Sequence, residues 1–213
     1  MFTGIVQGVR AVIGVTDKNG VRRLRLDLSD LHEGIANGAS IAVNGTCLTV
    51  SAHGEKWAEF DVIPETLRNT TLGAVRVGDG VNVERSARLS DEIGGHRVSG
   101  HVSGVGVVTR IVVIGGDYRV WISVPPSLMP YLLRKGFVAL NGASLTIAEV
   151  ERSHHEFAIN LIPETLARST FGTSHAGAEL NIEVDATTQA IVDTVRSLLN
   201  DRSLRAELLS GVE

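Results

Sequence analysis

The sequence contains a single cysteine, Cys47, and among its 213 positions there is no long run of basic or of apolar residues. One cysteine cannot form an internal disulfide. The net charge of −4 and the lack of a basic run argue against nucleic acid as a partner. No apolar stretch approaches the length that spans a bilayer, and positions 1–4 do not resemble the start of a signal peptide. These absences suit a soluble, cytoplasmic protein without a membrane partner.

Several chemical motifs are also missing from the sequence. There is no cluster of metal-ligand residues, no phosphate-binding loop and no nucleophile elbow. The segment Gly104-Val105-Gly106 lacks the third glycine and the strand-to-helix setting of a dinucleotide site. The motifs therefore predict neither a metal nor a bound cofactor.

The chain does contain an internal duplication. The string IPETL occurs at positions 63–67 and again at 162–166. NGTCLTV at 44–50 recurs as NGASLTI at 141–147, and VNVE at 81–84 recurs as LNIE at 180–183. The chain is therefore two copies of one module, and two related cavities could hold two similar molecules.

Each copy is dominated by short segments rich in Val and Ile that are separated by Gly, Asn and Asp. The segment 22–28 alternates cleanly, with three leucines on one face and charged residues on the other. The strands expected in addition are 41–43, 47–51, 57–62 and 81–84 in the first copy, and 107–114, 118–124, 138–140, 144–150, 157–161 and 180–184 in the second. Short strands at this spacing predict an all-β protein built from closed antiparallel barrels. Each IPETL segment predicts a turn and a short helix.

The predicted domain organisation is a first barrel with its linker at 1–97, a second barrel at 98–186 and a helix at 187–213. Residues 187–209 include no Gly or Pro, and Ile191, Val195 and Leu198 recur at helical spacing with Leu199 beside them. Asn200-Asp201 is a candidate interruption of this amphipathic helix. Its apolar stripe could cover its own barrel or pack against copies of itself, and the terminal position favours association.

The two copies differ at positions that matter for chemistry. The three aligned pairs, first copy then second, are Cys47 and Ser144, Gly4 and His101, and Ser86 and Asp185. A histidine exchanges protons near neutral pH, and a thiol or hydroxyl can act as a nucleophile. These positions therefore provide the candidate catalytic residues.

Each candidate also has a purely structural interpretation. His101 could lie on the surface or cap a strand, and Cys47 could be a small buried apolar residue. Ser144 follows an Asn-Gly pair, where a hydroxyl often serves the turn itself. Asp185 directly precedes the tail helix and could be its N-cap. The sequence leaves these alternatives open.

Other polar residues are expected to have structural roles. Thr66 with Glu65, and Thr165 with Glu164, are expected to cap the short helices that follow the repeated prolines. Lys135, which lies beside a glycine, is most simply a solvated lysine.

Several motifs, taken as a set, resemble those of the riboflavin synthase family over essentially the full length of the chain. They are MFTGIV at 1–6, NGTCLTV at 44–50, SDEIGGH at 90–96, SGHV at 99–102, NGASLT at 141–146, NIEVD at 181–185 and both IPETL segments. The resemblance implies two six-stranded Greek-key barrels and a homotrimer held by the C-terminal helices. It also implies active sites between the N-terminal barrel of one subunit and the C-terminal barrel of its neighbour. Docking onto a lumazine synthase assembly stays open.

The reaction implied by this resemblance is a dismutation of two molecules of 6,7-dimethyl-8-ribityllumazine, both bound in one site. One molecule donates a four-carbon unit to the other, which gives riboflavin and 5-amino-6-ribitylaminouracil. The ring of the substrate is its own electron sink, so no external cofactor is implied.

The resemblance also implies which residues line each cavity. In the first copy they are Gly4, Ile5, Val6, Ser40, Cys47, Leu48, Thr49, Asp61, Val62, Ile63, Pro64, Glu65 and Thr66, with Phe2 closing the apolar wall. In the second copy they are Gly100, His101, Val102, Lys135, Ser144, Leu145, Thr146, Asn160, Leu161, Ile162, Pro163, Glu164 and Thr165.

The same resemblance implies catalytic roles. His101 would shuttle the proton of the substrate's C7 methyl group. Ser144, Cys47 or a water that they orient would add at C7 of the acceptor. Asp185 would orient His101 or hold the nucleophile. The family often has a second cysteine beside Cys47, whereas this chain has Thr46 there.

Three other functions compete with this one. The family has non-catalytic antenna relatives that hold a lumazine or a flavin, but they are expected to lack the polar residues of the second copy, which are present here. A flavin-binding reductase module should be followed by a nucleotide-binding α/β domain, whereas this chain continues into a second barrel. A purely structural trimer would not need the polar differences between the copies.

Overall fold

The computed structural model describes residues 1–201 of the chain, and they form two closed antiparallel barrels followed by a helix. The first barrel has strands β1 (Gly8–Lys18), β2 (Val21–Asp27), β3 (Ser40–Val43), β4 (Thr46–His53), β5 (Trp57–Val62) and β6 (Gly80–Arg85). The second has β7 (Gly104–Ile114), β8 (Asp117–Ser123), β9 (Phe137–Leu140), β10 (Ala143–Glu151), β11 (Glu156–Leu161) and β12 (Glu179–Val184). The helices are α1 (Pro64–Asn69), α2 (Pro163–Arg168) and α3 (Ala186–Asn200), with 3₁₀ turns at Ser29–His32, Thr71–Gly73, Met129–Tyr131 and Thr170–Thr173.

The two barrels have the same strand order. The first closes in the order β1-β2-β5-β4-β3-β6, and the second follows the equivalent order β7-β8-β11-β10-β9-β12. In each barrel a central three-strand meander is joined to the remaining strands by longer connections, as in a Greek key. The all-β prediction of two tandem six-stranded Greek-key barrels with a C-terminal helix is confirmed.

Each barrel encloses its own hydrophobic core. Inward-facing residues such as Leu24, Leu26 and Phe60 in the first barrel, and Ile122 and Phe157 in the second, are essentially inaccessible to solvent. The alternation of β2, in which Leu24 and Leu26 point inward between arginines, is the pattern that the sequence shows. Burying such side chains stabilises each barrel by about 1.5–3 kcal/mol per side chain.

The short helices α1 and α2 begin at the two prolines of the IPETL segments, where proline lacks an amide hydrogen that the first turn would leave unpaired. The expectation that Thr66 and Thr165 cap these helices is wrong. The N-cap positions of α1 and α2 are Ile63 and Ile162, which have no side chain that could cap. Thr70 and Ser169 cap the 3₁₀ turns that follow, by accepting hydrogen bonds from the backbone N–H groups of Leu72 and Phe171.

The two barrels are joined by a symmetric network of buried asparagines. Asn82 donates to the backbone oxygen of Asn141 at 2.9 Å, and Asn181 donates to that of Asn44 at 2.8 Å. The side-chain oxygens of Asn82 and Asn181 accept from backbone N–H groups of the other barrel. Because a broken bond here would leave a buried polar group unpaired, this network fixes the barrels relative to one another.

The turns that precede β4 and β10 touch at the centre of this interface. Gly45 has a φ of +77°, and a Cβ atom on it would lie 2.6 Å from the backbone nitrogen of Gly142. Gly142 has a φ of +83° and packs against Gly45 in the same way. Only glycine combines this backbone conformation with this close approach.

We expect Gly45→Ala to lower the free energy of unfolding by about 2–3 kcal/mol, because it adds a steric clash to an unfavourable φ. Gly38→Ala is the matched control, since Gly38 has a φ of +86° and a Cβ atom on it would have no neighbouring atom within 4 Å. The control should lose only about 1 kcal/mol, the cost of the left-handed conformation. Urea denaturation measures both. Equal losses would show that the contact between the barrels is not tight.

Helix α3 begins at Ala186 and ends at Asn200, at the position where the sequence predicts an interruption. Positions 202–213 of the predicted helix lie outside the described residues. The apolar stripe of α3 does not cover its own barrel, since Ile191 is 60% exposed and Val195 48%. A hydrogen bond of 2.6 Å from Tyr131 to Asp193 ties the helix to the second barrel. Within residues 1–201, the helices are all too short or too polar to cross a membrane.

Candidate functional site

Each barrel has a cavity at its mouth, and the two cavities occupy equivalent positions. The Ser144 cavity, of about 200 Å³, is lined by Ser144, Ile162, Glu164 and Thr165 of the second barrel. The Cys47 cavity, of about 250 Å³, is lined by Cys47, Ile63, Glu65 and Thr66 of the first. The duplication therefore produces two related cavities, each between the start of a strand and one of the short helices.

The remaining wall of each cavity comes from the other copy. Gly4, Ile5 and Val6 line the Ser144 cavity, and Val6 packs into the core of the second barrel. Gly100, His101 and Val102 line the Cys47 cavity. The expected grouping, in which each segment lines the cavity of its own copy, is wrong. The segment that leads into each barrel lies across the mouth of the opposite barrel.

Two backbone hydrogen bonds hold this exchanged arrangement. The N–H of Ser144 donates to the carbonyl of Gly4 at 2.8 Å, and the N–H of Cys47 donates to that of Gly100 at 2.9 Å. Gly4 and Gly100 have φ values of +76° and +82°, and a side chain on either would collide with the residue below it. Glycine is thus required where each segment crosses the opposite cavity.

The structure also corrects one aligned pair. Gly4 corresponds to Gly100 and not to His101, as their φ values and hydrogen bonds show. The N–H of Ile5 bonds the hydroxyl of Thr3, and the N–H of His101 bonds that of Ser99 in the same way. The partner of His101 is therefore Ile5. The asymmetry between the cavities is a histidine over Cys47 and an isoleucine over Ser144.

Ser144 has a buried histidine partner, His96, which the sequence reasoning did not select. Nδ1 of His96 lies 2.6 Å from the hydroxyl oxygen of Ser144, and its ring stacks on Phe137 with centroids 5.2 Å apart. Burial lowers the pKa of His96, because the charged imidazolium loses hydration, and the charge of Asp185 opposes this shift. A neutral His96 can accept the hydroxyl proton of Ser144 and so activate it. The only signal for His96 in the sequence was its place in the SDEIGGH motif.

We expect the pKa of His96 to lie below its ordinary value of 6.5, and Asp185→Asn to lower it further by removing the opposing charge. Asparagine keeps the start of α3, since it is a good N-cap. Titration of ¹³C-labelled histidines by NMR measures both values, and His96→Gln assigns the signal. An unchanged or raised value in Asp185→Asn would show that the two groups are not coupled.

Asp185 has the structural role considered for it, the N-cap of α3. Its carboxylate caps α3 by accepting from the N–H and the hydroxyl of Thr188, at 2.7 and 2.8 Å. It also lines a third cavity, of about 720 Å³, together with Cys47 and His101. The structure therefore brings three of the four predicted catalytic residues to one cavity, and places the fourth, Ser144, in another beside His96.

Several residues expected to line the cavities belong to the cores or to other contacts. Leu48, Val62, Leu145 and Leu161 point into the barrels, and Phe2 packs between the barrels with Ala42, Val98 and Ala139. These side chains therefore belong to the hydrophobic clusters and not to the lining of the two cavities.

Polar residues expected at the site are placed as follows. Asp61 forms an ion pair with Arg23 at 2.7 Å, which lowers the pKa of its carboxyl, and Asn160 accepts from Arg119 at 3.0 Å. Glu164, which does line the Ser144 cavity, is paired with Arg168. Neither Asp61 nor Asn160 lines either cavity, and the same holds for six further residues expected there, which are Ser40, Thr49, Pro64, Lys135, Thr146 and Pro163. Across residues 1–201, no group of His, Cys, Asp and Glu side chains is arranged to hold a metal ion.

Comparison with known proteins is consistent with two ligand-binding repeats. The lumazine binding domain family matches residues 3–86 and 99–185. The riboflavin synthase of Escherichia coli (strain K12) is 46% identical over 204 residues, covering 95% of this chain and 95% of that protein. That of Chlamydia muridarum is 43% identical over 195 residues, covering 92% and 95%. A crystal structure of LumP complexed with riboflavin superposes with a TM-score of 0.80 at 26% identity, covering 87% of this chain and 100% of LumP.

Proposed function

The chain belongs to the riboflavin synthase family of enzymes, and we propose that it converts two molecules of 6,7-dimethyl-8-ribityllumazine into riboflavin and 5-amino-6-ribitylaminouracil. This dismutation is the last step of riboflavin biosynthesis. The observation that carries the proposal is the pair of equivalent cavities, at Cys47 and at Ser144. Donor and acceptor are the same compound, so a duplicated cavity can bind both. Holding them in contact supplies much of the rate enhancement through proximity.

Because the two cavities differ in their polar residues, each carries out a different step of the reaction in this proposal. His101, over the Cys47 cavity, removes a proton from the C7 methyl of one lumazine, and the carbanion delocalises into the ring. Ser144, activated by His96, or a water that Ser144 holds, adds at C7 of the other lumazine and prepares it for attack. The ring carries the electrons, so the chain needs to supply only acids, bases and positioning.

Each complete site is formed between two subunits of a homotrimer in this proposal. The Ser144 cavity, of about 200 Å³, is smaller than the roughly 300–1,000 Å³ of most ligand sites, so a facing surface would complete it. The uncovered stripe of α3 offers a means of association. The Cys47 cavity of one subunit then faces the Ser144 cavity of its neighbour. Association with lumazine synthase would be detected by cosedimentation of the two proteins.

A binding protein without catalysis is the second candidate. LumP, which is 27% identical with a TM-score of 0.77, has been crystallised with 6,7-dimethyl-8-(1'-D-ribityl) lumazine. Two features favour catalysis here: the His96–Ser144 pair, and His101 and Asp185 on one cavity with Cys47. A protein that only stores a chromophore needs neither.

The decisive experiment incubates the purified protein with 6,7-dimethyl-8-ribityllumazine and follows the absorbance of riboflavin. We expect one riboflavin formed for every two lumazines consumed, with no added metal or cofactor. Tight binding of the lumazine without product would reject the enzyme and support the binding protein.

A further inference from the structure

Two buried glutamates lie at equivalent positions on the last strand of each barrel. Glu84 on β6 is 4% exposed, and Glu183 on β12 is 7% exposed. The ion pairs formed within residues 1–201 involve neither of them. Buried carboxylates without a cation are costly and need other partners. These two are not explained by the proposed chemistry.

Their partners are the segments that cross the opposite cavities. Glu84 accepts from the N–H and hydroxyl of Thr3, at 2.6 and 2.8 Å, and from the N–H of Gly4 at 3.1 Å. Glu183 accepts from the N–H and hydroxyl of Ser99, both at 2.7 Å, and from the N–H of Gly100 at 2.9 Å. Three donors therefore converge on each carboxylate.

The segments held in this way form the outer walls of the two cavities. Ile5, which follows Gly4, lines the Ser144 cavity, and His101, which follows Gly100, lines the Cys47 cavity. A Cβ atom on Gly100 would lie 2.5 Å from that of Cys47, so the segment presses directly on this residue. A shift of the segment would move His101 and uncover Cys47.

We propose that Glu84 and Glu183 are positioning residues, each of which uses a carboxylate of one barrel to fix the segment that closes the cavity of the other barrel. Glu183 thereby holds His101 over Cys47. The expected effect on turnover rests on the proposed function, whereas the fixed position of the segment over Cys47 does not. A carboxylate suits this task because it only accepts hydrogen bonds. The amide of a glutamine would present an N–H₂ group to a backbone N–H.

The test uses the single cysteine of the chain as a reporter of one cavity. Cys47 is partly buried beneath Gly100. We expect Glu183→Gln to raise the rate at which 5,5′-dithiobis(2-nitrobenzoate) modifies Cys47 by about tenfold, because the covering segment opens more often. Glu84→Gln is the matched control. It removes the same contact from the other segment and should leave the rate unchanged.

Activity provides a second measurement. In Glu183→Gln, kcat should fall by about tenfold, because His101 is no longer held in place. The thiol reaction needs no substrate, so it tests the proposal even if the protein does not form riboflavin. An equal rise in both variants would mean that the two carboxylates stabilise the whole fold, and no rise in Glu183→Gln would mean that it does not hold the segment. Either result overturns the proposal.

A milder pair of variants covers the case in which Glu183→Gln does not fold. Ser99→Ala removes one of the three donors to Glu183, and Thr3→Ala removes the equivalent donor to Glu84. Ser99→Ala should raise the rate of Cys47 modification about threefold, and Thr3→Ala should not. The same rate in both variants would overturn the proposal.

Discussion

Replacing His101 by Gln should lower kcat by about a hundredfold, the contribution expected of a positioned general base. His101 is exposed at the Cys47 cavity, on a segment fixed by Glu183, and shares a larger cavity with Asp185. Glutamine has a similar length and keeps hydrogen-bonding atoms, but it cannot take up a proton near neutral pH. Stopped-flow measurement of riboflavin formation at saturating lumazine gives kcat directly.

The control for this variant is His154→Gln, which changes an exposed histidine in the turn between β10 and β11. It should have the kcat of the wild type. A kcat close to that of the wild type would remove His101 from the role of base.

Much of the fold could be predicted from the sequence because the duplication is preserved where packing requires it. The alternation of β2 and the IPETL segments predict elements that the structure contains. The strand that was missed, β1 (Gly8–Lys18), buries only Val12 and has a bulge between Val12 and Gly14. A strand with one fully buried residue, and with a bulge next to it, has no clear period-two pattern to detect. The segment is a strand because its backbone pairs with β2 on one side and with β6 on the other.

The site was less predictable because two of its features depend on tertiary structure. The exchange of the leading segments depends on Glu84 and Glu183, about 80 residues away in sequence from the groups they bind. Nothing local in the sequence around Gly4 or Gly100 indicates which barrel it will cover. His96 was missed for a similar reason, since it lies in a charged, glycine-containing connection and gains its partner, Ser144, from the second barrel.

The exchange also changes what the duplication means for catalysis. If each copy lined its own cavity, His101 and Ser144 would share one site and the Cys47 cavity would have no proton-transferring histidine. As the chain folds, His101 lines the Cys47 cavity and His96 contacts Ser144. Each cavity therefore has an imidazole nearby, but His101 lines its cavity whereas His96 lies buried behind Ser144. Two identical substrates would then meet different chemistry, which a dismutation requires.

The second large effect is expected from the helix α3. Replacing both Ile191 and Val195 by Asp should convert the proposed trimer to monomers and lower turnover by at least a hundredfold at low protein concentration. These side chains are 60% and 48% exposed in the single chain, and burying each between subunits would contribute about 1.5–3 kcal/mol, which a charged group cannot replace. Native mass spectrometry measures the assembly, and dilution assays measure its activity.

A double variant with the same charge change, Gln189→Asp with Asn200→Asp, is the control, because both residues lie on the opposite side of α3 at 100° per residue. It should remain a fully active trimer. If the Ile191 and Val195 variant also remains a trimer, the stripe does not hold the assembly together. If the Ile191 and Val195 variant becomes a monomer that keeps the turnover of the wild type, the reaction must take place within one chain. Sites shared between subunits would then be rejected, because a single subunit could hold donor and acceptor together.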